Sequence, residues 1–307
     1  MIWIVLLAVL IAAILYVLHY GYKLAFYYED PHHSPYAYPD DDQTRACKEA
    51  LEGAIAGFEN VPFEEVTITS HDGRKLVANY YHVADNAPLE IQCHGYKGNA
   101  IRDFSGNWKI AKAAGRNVLL IDERCHGRSE GHTITFGILE QKDVLGWIRY
   151  ANERFGNVPI LLSGVSMGAA TVLMVSGQDL PENVKAVIAD CPYDAPSNII
   201  KKVLGQDMGM PVKIVYPLIR FGGMLYGKFN LNADSPVEAV KWTKIPVLLI
   251  HGDDDRFVPY EMSRNIHAAA PEKIHFHTIP GAGHALNYAT APEEYCRVVA
   301  DFVKEHL

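Results

Sequence analysis

Residues 159–173 read PILLSGVSMGAATVL: an apolar run, a G-x-S-x-G pentapeptide and small residues at helical spacing. This order is typical of a strand, a sharp turn and a helix that together hold a serine, here Ser166, above a parallel sheet. Glycines flank such a serine because its backbone is strained and larger side chains would collide with neighbouring elements. The start of the helix also favours negative charge that develops beside the serine. The segment therefore predicts that Ser166 is a nucleophile.

A second G-x-S-x-G match surrounds Ser129, at residues 127–131. The residues that follow, GHTITFG at 131–137, do not have a helical pattern. A loop after a strand is the simpler interpretation of this match, so Ser166 is the candidate and Ser129 is expected to be structural.

Short runs rich in Val, Ile and Leu alternate with segments of helical length around this turn. A hairpin precedes them, centred on HDGR at residues 71–74. The predicted strands are 66–69, 75–83, 89–93, 118–121, 160–162, 184–189, 247–250 and 274–278, and the main predicted helices are 45–58, 101–114, 139–154 and 169–177. The alternation predicts an α/β fold, with a mainly parallel sheet, helices on both faces and ligands at the carboxyl ends of the strands.

Residues 191–233 break this rhythm, because the interval is rich in Met, Tyr, Phe and Gly. It is too long and too apolar for a simple connection. The sequence predicts a lid of short helices over the ligand pocket. The alternative, that the interval only packs against the edge of the sheet, stays open.

A serine hydroxyl needs a positioned base, and histidine titrates near working pH. The sequence contains 14 histidines, so position has to discriminate among them. His284 lies in GAGHA, a glycine-rich loop after the last predicted strand, from which it can reach the carboxyl edge of the sheet. His275 and His277 lie inside that strand, where a structural role is expected. His284 is the predicted base.

The base needs a buried carboxylate to orient it. The segment HGDDDRFVP, residues 251–259, follows a predicted strand and offers three candidates, Asp253, Asp254 and Asp255. An acid from this segment gives the chain order Ser, Asp, His that is expected for such a fold. Asp190, at the end of an earlier strand, is the reserve candidate.

The first residues are apolar, and no formal charge precedes Lys23. A helix over 2–22 is about 30 Å long, enough to cross a hydrocarbon core of about 30 Å. Aromatic residues at both ends (Trp3, Tyr16, Tyr20 and Tyr22) are typical of a membrane interface. The prediction is a single transmembrane anchor at 1–22. A cleaved signal peptide is the weaker alternative, because no basic residue precedes the run and no clear cleavage site follows it; a buried core helix is the other.

Charges near this helix bear on its orientation. Lys23 follows the helix, with Arg45 and Lys48 further on, so the positive-inside tendency predicts a cytoplasmic catalytic body. The chain of 307 residues has a formal net charge of −8 and no Lys/Arg-rich run, which argues against nucleic-acid binding. Its five cysteines lack the spacing of a zinc or redox site, and reduced thiols are expected.

Four motifs resemble those of the α/β-hydrolase superfamily: CHGYKGN at 93–99, DERCHGRS at 122–129, the turn at Ser166, and HGDDDRFVP at 251–259. The resemblance runs from residue 64 to the end of the chain. It looks most like membrane-anchored bacterial hydrolases of the YqkD and Bem46-like kind, within the group of serine aminopeptidase-like lipases and esterases. It implies an α/β-hydrolase domain at 60–307 with the lid at about 191–233, after an anchor at 1–22 and a tether with a short helix at 23–59.

The resemblance also implies residue roles. It places the acid at Asp255, three residues before Val258, and the oxyanion hole at the backbone N–H groups of Tyr96 and Met167. The implied reaction is cleavage of a carboxylic ester or thioester through an acyl-enzyme on Ser166, with no metal or organic cofactor. The H-G-G-G motif of lipases is absent, and an aspartate nucleophile is disfavoured because serine occupies the turn.

Two other functions remain open at this level. One is a serine peptidase that trims short peptides. The other is a non-catalytic, membrane-anchored binding protein on a hydrolase fold, since fold alone does not establish function. The expected partners are a small acyl substrate and the membrane.

Overall fold

The centre of the molecule is a sheet whose inner strands are buried on both faces. The computed structural model describes residues 1–29, 38 and 40–307. Its strands are β1 Glu64–Thr69, β2 Lys75–Tyr81, β3 Leu89–Cys93, β4 Asn117–Asp122, β5 Ile160–Val165, β6 Val184–Asp190, β7 Val247–Gly252 and β8 Ile274–Ile279. Within the described residues they form one eight-stranded sheet in the order β1-β2-β4-β3-β5-β6-β7-β8. Strand β2 is antiparallel to both neighbours, and the pairs from β4 to β8 are parallel.

Helices cover both faces of this sheet. The helices of the described residues, including those that do not touch the sheet, are α1 Ile2–Ala25, α2 Asp42–Ala56, α3 Ala100–Ala113, α4 Glu140–Phe155, α5 Met167–Ser176, α6 Pro196–Lys202, α7 Val212–Gly222, α8 Pro236–Ala239, α9 Tyr260–Ala269, α10 Asn287–Thr290 and α11 Pro292–His306. Wide π-helical turns, Val203–Asp207 and Gly223–Gly227, extend α6 and α7, and a 3₁₀ turn, Val240–Trp242, follows α8. The predicted α/β fold is confirmed.

The two faces of β5 show how the layers form. Leu162 packs in one apolar cluster with Trp147 of α4 and Ile266 of α9. Leu161, its neighbour in sequence, packs in another cluster with Phe302 of α11. Every residue of β3, β5 and β7 is buried, as expected for strands covered on both faces.

Strand β5 is longer than the sequence indicated. The prediction ended it at Leu162, but the ladder to β6 continues to Val165, which pairs with Asp190. The hydropathy falls at Ser163 and Gly164, and this hid the continuation. The longer ladder brings the carboxyl ends of β5 and β6 to the same edge of the sheet.

The predicted lid interval, residues 191–233, contains α6, α7 and their two wide turns, and we call this interval the lid. Its buried apolar residues, Tyr193, Ile199, Leu204, Ile219 and Phe229, share one cluster with the start of α5 and with Val258. The lid therefore lies over the carboxyl edge where Ser166 emerges. Its exact boundaries stay a prediction.

Helix α1 is the one described helix with the length and apolarity to cross a membrane; its most apolar window has a mean hydropathy of 2.8 and is 0% buried. Its end differs from the predicted tether. The helix runs to Ala25, and Phe26 is 1% exposed because it packs on Phe136 and Phe229. The three prolines of the predicted tether, Pro31, Pro35 and Pro39, lie outside the described residues.

Candidate active site

Ser166 occupies the sharp turn between β5 and α5. Its φ of 54° and ψ of −112° lie in a region that a non-glycine residue enters only under strain. The Ser166 N–H donates to the carbonyl of Asp190, at 2.8 Å, which helps to hold the turn. A Cβ on Gly168 would lie 1.9 Å from the carbonyl oxygen of Cys93, so α5 can pack this closely on β3 only with glycine at that position. The G-x-S-x-G pattern is therefore needed sterically.

His284 lies in the loop after β8 and faces the serine. Its Nε2 is 2.9 Å from Ser166 Oγ, and its Nδ1 is 2.7 Å from Asp255 Oδ2. Because a carboxylate only accepts, the ring proton belongs on Nδ1, which leaves Nε2 free to accept from the serine hydroxyl. The structure thus brings three residues that are 118 and 29 positions apart into one hydrogen-bonded chain.

Asp255 is held by the turn that follows β7. Its Oδ1 accepts hydrogen bonds from the backbone N–H groups of Phe257 and Val258, at 2.9 and 2.8 Å. Burial by itself raises the pKa of this carboxyl, but the nearby charge of His284 and hydrogen bonds from His251 and His284 outweigh burial. The pKa of Asp255 is therefore held well below its usual value, and the side chain is ionised at neutral pH.

The other candidates have different partners. Asp253 Oδ1 accepts from Gly281 N–H, at 2.6 Å, and Asp254 is ion-paired with Arg256 at the surface. Asp190, the reserve acid, accepts from Asn287 Nδ2, at 2.6 Å. None of these three carboxylates has a described hydrogen bond to His284.

Ser129 makes two hydrogen bonds that close a loop. Its Oγ donates to the carbonyl of Asp122, at 2.7 Å, and accepts from Val77 N–H, at 2.9 Å. Both contacts join the loop to the neighbouring strands β2 and β4. This is the structural position that the sequence indicated.

Sequence reasoning missed His251, the last but one residue of β7. The ring is 0% exposed, and its Nε2 lies 3.1 Å from Asp255 Oδ2. Its position in the HGDDDRFVP motif was the available signal. The motif was used only as a source of acids, and the predicted strand ended at Ile250, so His251 was assigned no role.

Two backbone amides are candidates for stabilising an oxyanion. The amides on both sides of Tyr96 are occupied, since Gly95 N–H donates to Asp103 Oδ2 and Lys97 N–H donates to His126 Nε2. Within the described part of the chain, the Tyr96 amide between them has no acceptor. Met167 opens α5, where first-turn N–H groups have no partner within the helix. Met167 follows Ser166 directly, and a Cβ on Gly95, next to Tyr96, would lie 3.3 Å from Ser166 Cβ, so both amides are near the serine, as an oxyanion hole requires.

Two cavities meet at Ser166 and differ in polarity. One, of about 660 Å³, is lined by polar and charged side chains that include Lys97, Arg102 and Arg256. The other, of about 230 Å³, is lined mostly by apolar side chains. They include Leu204 and Ile219 of the lid, and Phe136 outside it. Tyr96 and Phe257 line both cavities. The serine therefore stands between a cavity that carries charged side chains and one whose lining is almost entirely apolar.

Two groups of potential metal ligands occur among the described residues. Cys191, Asp255 and His284 form one, but Asp255 and His284 are already hydrogen-bonded to each other. His71, Asp72 and Asp143 form the other, and the Arg124 guanidinium is ion-paired with both of its carboxylates. The existing partners account for both groups without a metal.

Comparisons with known proteins agree with the sheet order. The family model described as the alpha/beta hydrolase fold matches residues 91–213. The chain is 26% identical over 226 residues to YqkD of Bacillus subtilis, an uncharacterised protein, covering 73% of this chain and 74% of YqkD. It is 27% identical over 255 residues to the monoacylglycerol lipase of Mycolicibacterium smegmatis, covering 73% of this chain and 90% of the lipase.

A solved structure extends this similarity to the fold. An esterase from Pyrococcus furiosus matches with a TM-score of 0.66 at 19% identity, covering 89% of this chain and 99% of the esterase. At that identity the likeness concerns the fold alone. Together with the sheet order and the strained serine between β5 and α5, these matches show that the chain has the α/β-hydrolase fold.

Proposed function

We propose that the protein is a serine hydrolase that cleaves carboxylic esters or thioesters, with Ser166 as nucleophile, His284 as base and Asp255 as the residue that orients the base. The observation that carries this proposal is the 2.9 Å separation between His284 Nε2 and Ser166 Oγ. That distance is within the reach required for a base to take the hydroxyl proton.

The proposed reaction has two halves. Ser166 Oγ attacks the acyl carbonyl while its proton passes to His284 Nε2, and the oxyanion accepts from the Tyr96 and Met167 amides; such a donor contributes about 3–4 kcal/mol. The tetrahedral intermediate collapses, and the alcohol or thiol leaves with the proton from His284. Water then attacks the acyl-enzyme with the same base, which releases the carboxylic acid and restores Ser166.

The two cavities suggest how a substrate would be oriented. The apolar cavity has the lining that an acyl chain prefers, and the polar cavity can receive the alcohol side of an ester. The monoacylglycerol lipase and the esterase among the similar proteins support a hydrolase of esters. We infer a medium or long acyl substrate.

Membrane attachment is part of the proposal. Helix α1 is long and apolar enough to act as a single-pass anchor, and Lys23 in its last turn favours a catalytic domain on the cytoplasmic side. A signal sequence would have similar composition. Extraction of the protein from cell membranes only by detergent, and not by high salt, would support the anchor; release by salt would contradict it.

A fluorophosphonate probe tests the chemistry, because it reacts only with an activated serine. The wild-type protein should be labelled, Ser166→Ala should not, and Ser129→Ala should be labelled like the wild type. Absence of labelling in a folded wild-type protein would overturn the proposal and favour a non-catalytic binding protein. A panel of acyl esters and aminoacyl amides separates esterase from peptidase, and preferential cleavage of the amides would reassign the substrate class.

A further inference from the structure

Helix α1 is packed along the lid. A Cβ on Gly222 of α7 would lie 2.4 Å from the carbonyl oxygen of Leu18, so the two helices approach closely because glycine stands there. The Tyr226 hydroxyl, in the turn after α7, donates to the carbonyl of Leu15, at 3.0 Å. The lid therefore contacts α1 well inside its apolar run.

The depth of this contact follows from helix geometry. Leu15 lies 13 residues after Ile2, or about 20 Å along the helix axis at 1.5 Å per residue. A hydrocarbon core is about 30 Å thick. If α1 spans it from Ile2, the Leu15 carbonyl lies within the core. Gly222 at the end of α7 packs on Leu18, about 24 Å along the axis, and so lies just inside the core.

The face of α7 that points away from the protein is apolar. Ile214 is 65% exposed, Phe221 53%, Met224 43% and Leu225 50%. Pro217 is also exposed, and these positions have the three- and four-residue spacing of one helix face. We call these five residues the lid stripe. A stripe of this kind beside a candidate membrane span is unusual for a surface in contact with water.

The charge of the lid differs from that of the whole chain. Residues 191–233 contain five basic residues (Lys201, Lys202, Lys213, Arg220 and Lys228) and two acidic ones (Asp194 and Asp207), a difference of +3, whereas the chain carries −8. An apolar helix face with basic neighbours is suited to a membrane with anionic headgroups.

The apolar cavity reaches the same place. Its lining includes Leu24 and Ala25 at the end of α1, Met208 and Ile219 of the lid, and Ser166 at the other end. Met208 is 43% exposed, so the cavity borders the surface beside α1. The cavity thus connects the serine with the level at which the lid stripe lies.

We propose that the lid stripe inserts into the bilayer that α1 crosses, and that the apolar cavity opens there, so that the acyl chain of a membrane lipid ester reaches Ser166 laterally from the bilayer. The insertion rests on the packing of α1 and α7, on the lid stripe and on α1 crossing the bilayer, and it does not require hydrolase activity. The lateral route for substrate rests on the proposed hydrolase function.

Photo-crosslinking tests the insertion without any need for activity. The full chain is reconstituted in phosphatidylcholine vesicles that contain a minority of phosphatidylglycerol, with Phe221→p-benzoylphenylalanine in one variant and Phe63→p-benzoylphenylalanine in the other. Phe63 is 46% exposed and precedes the edge strand β1, so it is a matched control. Lipid adducts at 221 and not at 63 are expected. No lipid adduct at 221, equal adducts at both positions, or adducts at 221 to a second copy of the chain would overturn the insertion.

The double variant Phe221→Asp with Leu225→Asp tests the route, with Phe63→Asp as control. Neither Phe221 nor Leu225 lines a cavity at Ser166. Hydrolysis of a long-chain ester embedded in vesicles should fall at least about tenfold relative to hydrolysis of a short, water-soluble ester, because inserted carboxylates are disfavoured in the bilayer. An unchanged ratio would overturn the route. If the wild type hydrolyses neither ester and is not labelled by fluorophosphonate, the proposed function fails, while the crosslinking result still decides the insertion.

Discussion

His251 Nε2 lies 3.1 Å from Asp255 Oδ2, the carboxylate oxygen that also faces His284. The same Nε2 is 3.0 Å from the carbonyl of Val258, and Nδ1 is 2.6 Å from Ser263 Oγ. Since both neighbours of Nε2 accept, that nitrogen carries a proton, and Nδ1 accepts from the Ser263 hydroxyl. A buried histidine thus shares the carboxylate oxygen that is proposed to orient His284.

Replacement of this histidine should impair both the stability and the chemistry. In His251→Gln the hydrogen bond to a buried carboxylate is lost or misplaced, and we expect a loss of about 1.5–3 kcal/mol in the free energy of unfolding. Because Asp255 would be less firmly oriented, kcat for ester hydrolysis should fall by roughly tenfold with little change in KM. His277→Gln is the control, since His277 pairs with Glu294 and not with Asp255. Equal losses in the two variants would exclude a positioning role for His251.

Asp255→Asn should reduce kcat by about 10⁴-fold, the effect seen in other Ser-His-Asp enzymes, because the amide favours the tautomer in which Nε2 carries the proton. Stopped-flow or steady-state ester hydrolysis measures this loss. Asp254→Asn, at the neighbouring surface position, should remain within about threefold of the wild type, since surface substitutions away from the reacting groups have small effects. A large loss in Asp254→Asn would show that the acid has been assigned to the wrong residue.

The buried Glu123 predicts a dependence of stability on pH. Burial, and then the proximity of Glu140 and Asp143, raise the pKa of Glu123 well above its usual value, so the folded protein keeps this proton to a higher pH than the unfolded chain does. The unfolded chain releases it above about pH 4.3. The stabilisation that this proton provides is therefore fully present below that pH. As the pH rises above it, the free energy of unfolding declines by about 1.4 kcal/mol per pH unit.

Glu123→Gln has no proton to release and should remove this decline. Thermal unfolding between pH 5 and 8 should show the variant gaining on the wild type as the pH rises (about 1.4 kcal/mol per unit at most). Glu153→Gln, at an exposed position of α4, should show no such trend. A constant difference between Glu123→Gln and the wild type would mean that the folded protein does not retain the proton.

Filling the apolar cavity should discriminate by acyl length. Leu204 is 3% exposed and lines the cavity, so Leu204→Trp should lower kcat/KM for long-chain esters by at least about tenfold while short esters are hydrolysed nearly as before. Phe63→Trp places the same side chain at an exposed position before β1, away from both cavities, and should change the hydrolysis of neither ester. If Leu204→Trp reduces both substrates equally, the cavity does not hold the acyl chain.

Features formed by adjacent residues were predictable from the sequence, and features that depend on distant residues were not. The strand, turn and helix around Ser166 were predictable because the apolar run, the glycines and the small residues are adjacent in the chain. Strand β3 was predicted to the residue, because Leu89, Ile91 and Cys93 alternate with polar residues at the period of a strand. The end of β5 was not predicted, because the polar Ser163 and Gly164 continue the strand when both neighbouring strands supply hydrogen bonds.

The end of α1 shows the same limit. The sequence separated an apolar anchor from a polar tether near Lys23, as hydropathy alone suggests. In the structure Phe26 is buried because it packs on Phe136 and Phe229, and Tyr22 is buried beside Tyr226 of the lid. Those partners are distant in sequence, so the residues around 22–26 alone do not indicate this contact.

The sequence by itself determined the α/β class, the identity of the candidate nucleophile and a candidate membrane span, because hydropathy period and glycine placement are local properties. Only the tertiary structure decided that His251 supports Asp255, that an apolar cavity connects Ser166 with the end of α1, and that α7 lies along that helix. Each of these depends on parts of the chain brought together by the sheet register and by close helix packing. Those contacts arise from burial and shape complementarity in three dimensions, which no stretch of neighbouring residues encodes.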